Sequence, residues 1–394
     1  MLKFSGFSLK GYVLVGSFLL VLWGTLAFAP ARSQSQVSSS VVEDPLGIVL
    51  PRIRSILEQA RNRLVRIVVW GGLHSSEDRF TARLRTRLQS RYGDGGPGAF
   101  APAPPFPLYR RQGVIFLSSS GVTGIEATLT SRVSPFGAMG MALDLRQEGT
   151  IRFAIDRNLH GRVRLFVRSH PLRGGGVARV ALRYRDRNVE RELSSNQEDS
   201  LEMITEIQAN EAFEIRASRM RILGVSIEAP WGVVVDSFGI PQGRVDHSTR
   251  WDEASFETGL RALAPDIVML EYGTNEAVGL LPPGESRLAL EAFIDRIRKV
   301  VPNAPCVVIG PSNYPIQKGK QWFPRPSSGE VRAAFRLAAF SKGCGYVDLI
   351  AFQGGESNLD EWFSQGLVLA SRVVMSEAGH EKLAEAIERA FTGP

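Results

Sequence analysis

The chain is poor in the residues that most often bind metals or cross-link a fold: its 394 residues include two cysteines and five histidines. His160, His170 and His247 share no ligand spacing with neighbouring Asp, Glu or Cys, so no metal site is indicated and no cofactor is called for. No cysteine lies near the N-terminus, which excludes a lipidated cysteine as an anchor there. Cys306 and Cys344 each adjoin a predicted core strand; an oxidising compartment would let them pair, but two buried free thiols are the plainer expectation. Nucleic-acid modules are missing as well. The net charge of +7 comes mainly from arginines scattered between Arg52 and Arg389 and interleaved with acids such as Asp186, Glu190 and Glu192. A scattered excess gives general attraction to anionic polymers and argues against a nucleic-acid partner. With 44% hydrophobic and 22% charged residues, the chain is not disordered and can bury one large core or two modest ones.

Residues 1–34 combine a short basic start (Lys3, Lys10), an apolar run from about Gly11 to Ala29, and the small-residue stretch Ala29-Pro30-Ala31. This is the pattern of an export signal cleaved after Ala31. The run approaches the roughly 20 residues that span a bilayer, so an uncleaved membrane anchor is the alternative. Either way the expected location is the periplasm or cell envelope.

Beyond a Ser/Val-rich linker, residues 35–104 read as helix, strand and helix: helical spacing over Ile53 to Arg66, a β-branched run at Val65, Ile67, Val68 and Val69, then an Arg-studded helical stretch. A Gly/Pro-rich crossing follows, from Gly93 to Pro107. Residues 105–232 alternate with period two in short segments such as Val163 to Val167, Val177 to Leu182 and Phe213 to Ala217, which predicts an antiparallel β-sandwich. From 233 to 394 strands and amphipathic helices alternate again, as a mostly parallel sheet covered on both faces requires. The first strand of that pattern precedes the β-rich segment and the others follow it. One α/β domain interrupted by an inserted sandwich is therefore expected.

The chemistry is concentrated in four blocks. The strand at Val65–Val69 ends in Trp70-Gly71-Gly72-Leu73-His74-Ser75, with Phe80-Thr81 a little later. The second block is Val235-Asp236-Ser237-Phe238-Gly239-Ile240, and the third is Leu270-Glu271-Tyr272-Gly273-Thr274-Asn275-Glu276. The fourth runs Ser371-Arg372-Val373-Val374-Met375-Ser376-Glu377-Ala378-Gly379-His380. Together they resemble the SGNH (GDSL-type) hydrolases, in the branch similar to peptidoglycan and polysaccharide O-acetylesterases. That resemblance implies a flavodoxin-like α/β/α fold. It places Leu73 at the nucleophile position, Ser371 at the acid position and Val374 at the base position, with Gly72 where the family carries Asp. Gly239 and Asn275 fall at the oxyanion-donor positions, and Gly72, Leu73, His74, Ser75, Glu276 and Val374 are expected to line the cleft.

Acyl transfer in that family needs a hydroxyl, an imidazole to take its proton and a carboxylate to orient the imidazole. Leu73 and Val374 offer neither proton nor lone pair. The coherent loss of all three groups implies a settled non-catalytic site that binds polysaccharide or peptidoglycan, or serves beside an active esterase as its partner. The runner-up is an active acetyl or acyl esterase using Ser75 or Ser76, expected inside the helix start, with His74 or His380. A structural envelope protein is the third class. Asp236-Ser237 imitates a nucleophile motif but is followed by Phe238-Gly239-Ile240-Pro241 instead of a helix, so it is a decoy.

Overall fold

The strand Leu64–Gly71 sends alternate side chains into two different cores, and that alternation organises the α/β part of the molecule. In the computed structural model, which describes residues 40–127, 135–172, 177–279 and 281–393, Val65, Ile67 and Val69 enter a core shared with helices α1 (Val49–Glu58), α2 (Arg79–Tyr92) and α6 (Glu377–Thr392). Val68 and Trp70 enter a second core with α3 (Glu253–Leu263), α4 (Pro283–Val300) and α5 (Pro326–Ser341). A strand buried on both faces must be apolar almost throughout, which is why this run lacks a polar alternation. The segment read as an export signal or anchor, residues 1–34, lies outside the described residues.

Six strands form the central sheet: β1 (Val42–Glu43), β2 (Leu64–Gly71), β3 (Gly232–Gly239), β4 (Ile267–Glu271), β5 (Cys306–Ile309) and β6 (Gly345–Val347). Their spatial order is β1-β6-β5-β4-β2-β3, and every neighbouring pair is parallel except β1 with β6. Val235 of β3 pairs with Ile67 of β2, so the two stretches of chain that flank the β-rich segment lie side by side. The helical spacing read through Arg66 ends earlier: α1 stops at Glu58, a 3-10 turn covers Gln59–Arg61, and Leu64 to Arg66 pair with β3. Sheet pairing there overrides local periodicity.

The intervening chain contributes two antiparallel sheets. One is ordered Arg187–Leu193, Ala178–Tyr184, Phe213–Ser218, Gly149–Ile155, Val114–Ser120. The other is ordered Glu198–Ile207, Leu159–Ser169, Met220–Glu228, Met141–Leu145, Thr123–Glu126, with Gly98–Phe100 added against Met220–Glu228. Val163, Leu165 and Val167 point into a core with Phe153, Phe213 and Ile215, and Arg164 and Phe166 between them take the other side. This is the inserted sandwich on an α/β/α sheet that the residue pattern implied.

Buried charge joins the two parts. Arg66 of β2 pairs with Asp236 of β3 and, at 2.6 Å, with Glu228 of the sandwich, all three nearly devoid of exposure. Burial opposes each charge, but the opposite partners outweigh it: Arg66 is raised above its ordinary value and Glu228 falls to about 2. Asp236 also accepts from the Ala99 amide at 2.7 Å. Its neighbour Ser237 donates to the Ser75 carbonyl at 2.8 Å and lies 2.9 Å from the Thr81 hydroxyl. Asp236-Ser237 is thus structural.

Cys306 and Cys344 form a disulfide with a Cα–Cα distance of 4.8 Å, which corrects the expectation of free thiols. Parallel pairing of β5 with β6 brings their starts together. No spacing in the sequence displays that proximity.

Candidate functional site

Glu271, the last residue of an otherwise apolar strand, shapes the candidate site. Its buried Oε2 accepts from the backbone amides of Gly72 (3.1 Å), His74 (3.2 Å) and Ser75 (3.2 Å) and from the Ser75 hydroxyl (2.9 Å). The chain leaving β2 wraps around this oxygen as a broad turn over residues 72–78, and α2 begins only at Arg79. Ser75 and Ser76 therefore lie in the turn, where expectation had put them inside the helix. Such a wrap demands glycine: a Cβ on Gly71 would stand 2.4 Å from Ser75 Oγ, and one on Gly72 would stand 2.7 Å from the Gly243 carbonyl. At the end of β3, a Cβ on Gly239 would meet the Ser75–Ser76 peptide at 2.3 Å. Burial pushes the Glu271 carboxyl up to about 7, against its four hydrogen bonds.

Behind the turn lies a closed polar cluster. His74 Nε2 is 2.9 Å from Ser312 Oγ, and the Ser312 amide donates to the Thr274 hydroxyl at 3.1 Å. The His74 ring meets the His380 ring edge-on, with centroids 5.6 Å apart. His380 sits one turn into α6, whose Ser376 caps the helix by accepting from the Gly379 amide. Burial holds His74 down at about 3 and His380 at about 4, so both imidazoles are neutral at physiological pH. His74 and Ser75, expected to line a cleft, are buried here. Glu276 is buried too: its carboxylate accepts from the Val245 amide at 2.7 Å and the Gly273 amide at 2.8 Å, which turns it inward.

Of the expected site residues, Leu73, Asn275 and Val374 are partly exposed and Ser371 is exposed. Asn275 Nδ2 donates to the Gly243 carbonyl at 2.8 Å, and a Cβ on Gly72 would lie 2.8 Å from that nitrogen, so Asn275 and Gly72 are neighbours. Ser371 and Val374 occupy a tight loop closed by the Val368–Met375 bridge, in which the Val374 carbonyl accepts from the Leu369 amide at 2.8 Å. The fold thus gathers the turn at 72–76, Gly239, Asn275 and the start of α6. Neither candidate serine meets an imidazole: Ser75 donates to Glu271, and Ser76 donates to the Leu73 carbonyl at 3.2 Å.

Glu271, Ser312 and Thr274 escaped the sequence reading. A single acid ending the run Ile-Val-Met-Leu was the one available signal for Glu271, and nothing marked Ser312. The Ser312–His74 pair has the separation of a nucleophile and its base. Both members are enclosed, and His74 Nδ1 has no hydrogen-bond partner among the described residues, so no carboxylate orients the ring.

The description of the GDSL-like lipase/acylhydrolase family matches residues 217–382, which include β3, β4, Asn275 and the Ser371–His380 block. That stretch matches the GDSL-like lipase/acylhydrolase family, and the chain has the SGNH hydrolase fold. Among solved structures the chain is similar to a peptidoglycan O-acetylesterase, at 23% identity and a TM-score of 0.70 over 86% of this chain and 94% of that one. The likeness extends across the inserted sandwich and establishes the shared fold. A salicylyl-acyltransferase from a tetracycline biosynthetic pathway aligns at 14% identity over 73% of this chain and 95% of that one, with a TM-score of 0.30. No curated protein sequence matches the chain.

Proposed function

We propose that this SGNH-fold protein is a non-catalytic binder of envelope polysaccharide. The observation that carries the reading is the fate of the hydroxyls around the turn. Ser75 is held by Glu271, Ser76 by the Leu73 carbonyl and Ser312 by a buried, neutral His74, while Leu73 and Val374 occupy partly exposed positions. Acyl transfer without an accessible nucleophile and a poised base retains only the small acceleration that binding and oxyanion donors supply. The apolar run at residues 11–29 and the basic surface fit an exported protein that meets an anionic polymer.

Two measurements on the purified protein test this. Hydrolysis of a chromogenic acetyl ester should match a buffer blank, and the protein should be retained by polysaccharide in a pull-down or anisotropy titration. Turnover that disappears in Ser75→Ala or Ser76→Ala would restore the active-esterase reading. Absence of binding to any envelope polysaccharide would remove the proposal.

A further inference from the structure

A concave site lies away from the turn, where the end of the sandwich meets the N-terminal cap of α3. It is a cleft of about 830 Å³, within the roughly 300–1,000 Å³ of ordinary ligand pockets. Among the described residues, four arginines line it (Arg146, Arg168, Arg219 and Arg221) together with His170, and Asp252 is the one acid. The floor is built: the Arg221 guanidinium grips Asp144 through two bonds of 2.6 and 3.0 Å and reaches the Pro135 carbonyl at 2.7 Å. His170 Nε2 lies 3.3 Å from the same carboxylate. Burial would raise Asp144, but His170 and Arg221 outweigh it and hold the acid at about 2.

Arg221 already neutralises Asp144, and Arg168 is met by Glu198 at 2.9 Å. Arg146 has its nearest acid, the same Asp144, at 3.9 Å, and its side chain is 78% exposed. A cation placed against a carboxylate that another arginine has already satisfied is available to a further anion. The cleft is much larger than a single inorganic anion, and no Phe, Tyr or Trp is among the described residues that line it. Its chemistry therefore suits a polyhydroxylated, carboxylate-bearing chain better than an apolar ligand, since planar guanidinium forks match carboxylates.

We propose that this cleft binds a segment of a carboxylated polysaccharide, with Arg146 pairing a sugar carboxylate above the Arg221–Asp144–His170 floor. The inference rests on the polysaccharide-binding reading above and adds to it the charge of the ligand and its place on the sandwich.

The test is an anisotropy titration of the whole purified protein with a labelled polyuronate and with its carboxyl-reduced, neutral counterpart, at about 50 and about 200 mM salt. The wild type should prefer the polyuronate. Arg146→Ala should weaken that binding about tenfold and flatten its salt dependence. Arg179→Ala supplies the control, removing the same charge from an exposed arginine on the other sheet of the sandwich, and should change little. Equal losses in both variants, or equal affinity for the neutral polymer, would overturn the assignment. Polyuronate binding unaffected by Arg146→Ala would remove the cleft while leaving the polysaccharide reading in place. No binding to either polymer, with binding to intact peptidoglycan retained, would also remove the carboxylated-chain assignment. Failure with every polymer would defeat the underlying reading itself.

Discussion

Glu271→Gln should stabilise the protein at about pH 8 and alter it much less at about pH 5. Two effects compete at this carboxyl: burial disfavours its charge, and three amides with one hydroxyl favour it. Burial wins, placing the group at about 7 instead of 4.5. An acid whose folded pKa is raised holds an extra proton in the native state between those two values. Its contribution to stability is complete below the unfolded value and is lost as pH rises through about 7. Linkage sets the loss between about pH 5 and about pH 8 at about 2–3 kcal/mol. Glutamine is neutral throughout; its carbonyl can stand in for Oε2, and its amide can stand in for Oε1, which has no partner among the described residues. Urea denaturation of both proteins at the two pH values isolates the effect, because Glu276, also pushed up to about 7 by burial, titrates in both. Identical pH slopes would refute the reasoning. A wild type that gains stability with rising pH relative to the variant would refute it more sharply, by showing that the four donors outweigh desolvation.

The disulfide closes a separation of 38 residues, so Cys306→Ser with Cys344→Ser should lower stability by roughly 2–4 kcal/mol; an unchanged melting temperature in non-reducing buffer would contradict that. Ser312→Ala should cost about 1–3 kcal/mol by leaving His74 Nε2 unpaired and should leave ester hydrolysis at the blank, whereas loss of a measurable turnover would make Ser312 a nucleophile. Leu73→Ser combined with Ser371→Asp and Val374→His should give acetyl-ester turnover above the parent while each single change does not, because triad members act as a unit; equal rates in the triple variant and the parent would count against the assigned positions. Adding Gly72→Asp should abolish that gain, since its Cβ would stand 2.7 Å from the Gly243 carbonyl.

Much of the architecture was legible because it depends on short-range pattern. Continuous β-branched runs mark strands buried on both faces, and their alternation with amphipathic helices requires a parallel sheet. Period-two segments between turn residues mark the sandwich. The sequence alone determined that the turn after β2 presents Leu73, that neither Leu73 nor Val374 has a side-chain proton or lone pair to offer, and that glycines stand at the strand ends. It could say that Gly72 and Gly239 were small, but not that a Cβ on Gly72 would meet the Gly243 carbonyl and one on Gly239 the Ser75–Ser76 peptide.

Tertiary structure decided everything that depends on partners far apart in the chain. Glu271 looked like the polar end of a strand, yet parallel pairing with β2 delivers it under the turn at 72–75, where it occupies the amides and the Ser75 hydroxyl. His74 read as a cleft residue, and Ser312 did not stand out at all. The loop after β5 buries them against each other, which turns a hydroxyl–imidazole pair into an internal contact. The Cys306–Cys344 bond and the Arg66–Asp236–Glu228 bridge have the same origin. Residue type limits which groups are able to ionise, donate or accept. Which of them meet, and whether water reaches them, follows from sheet order and burial, and no local spacing encodes either.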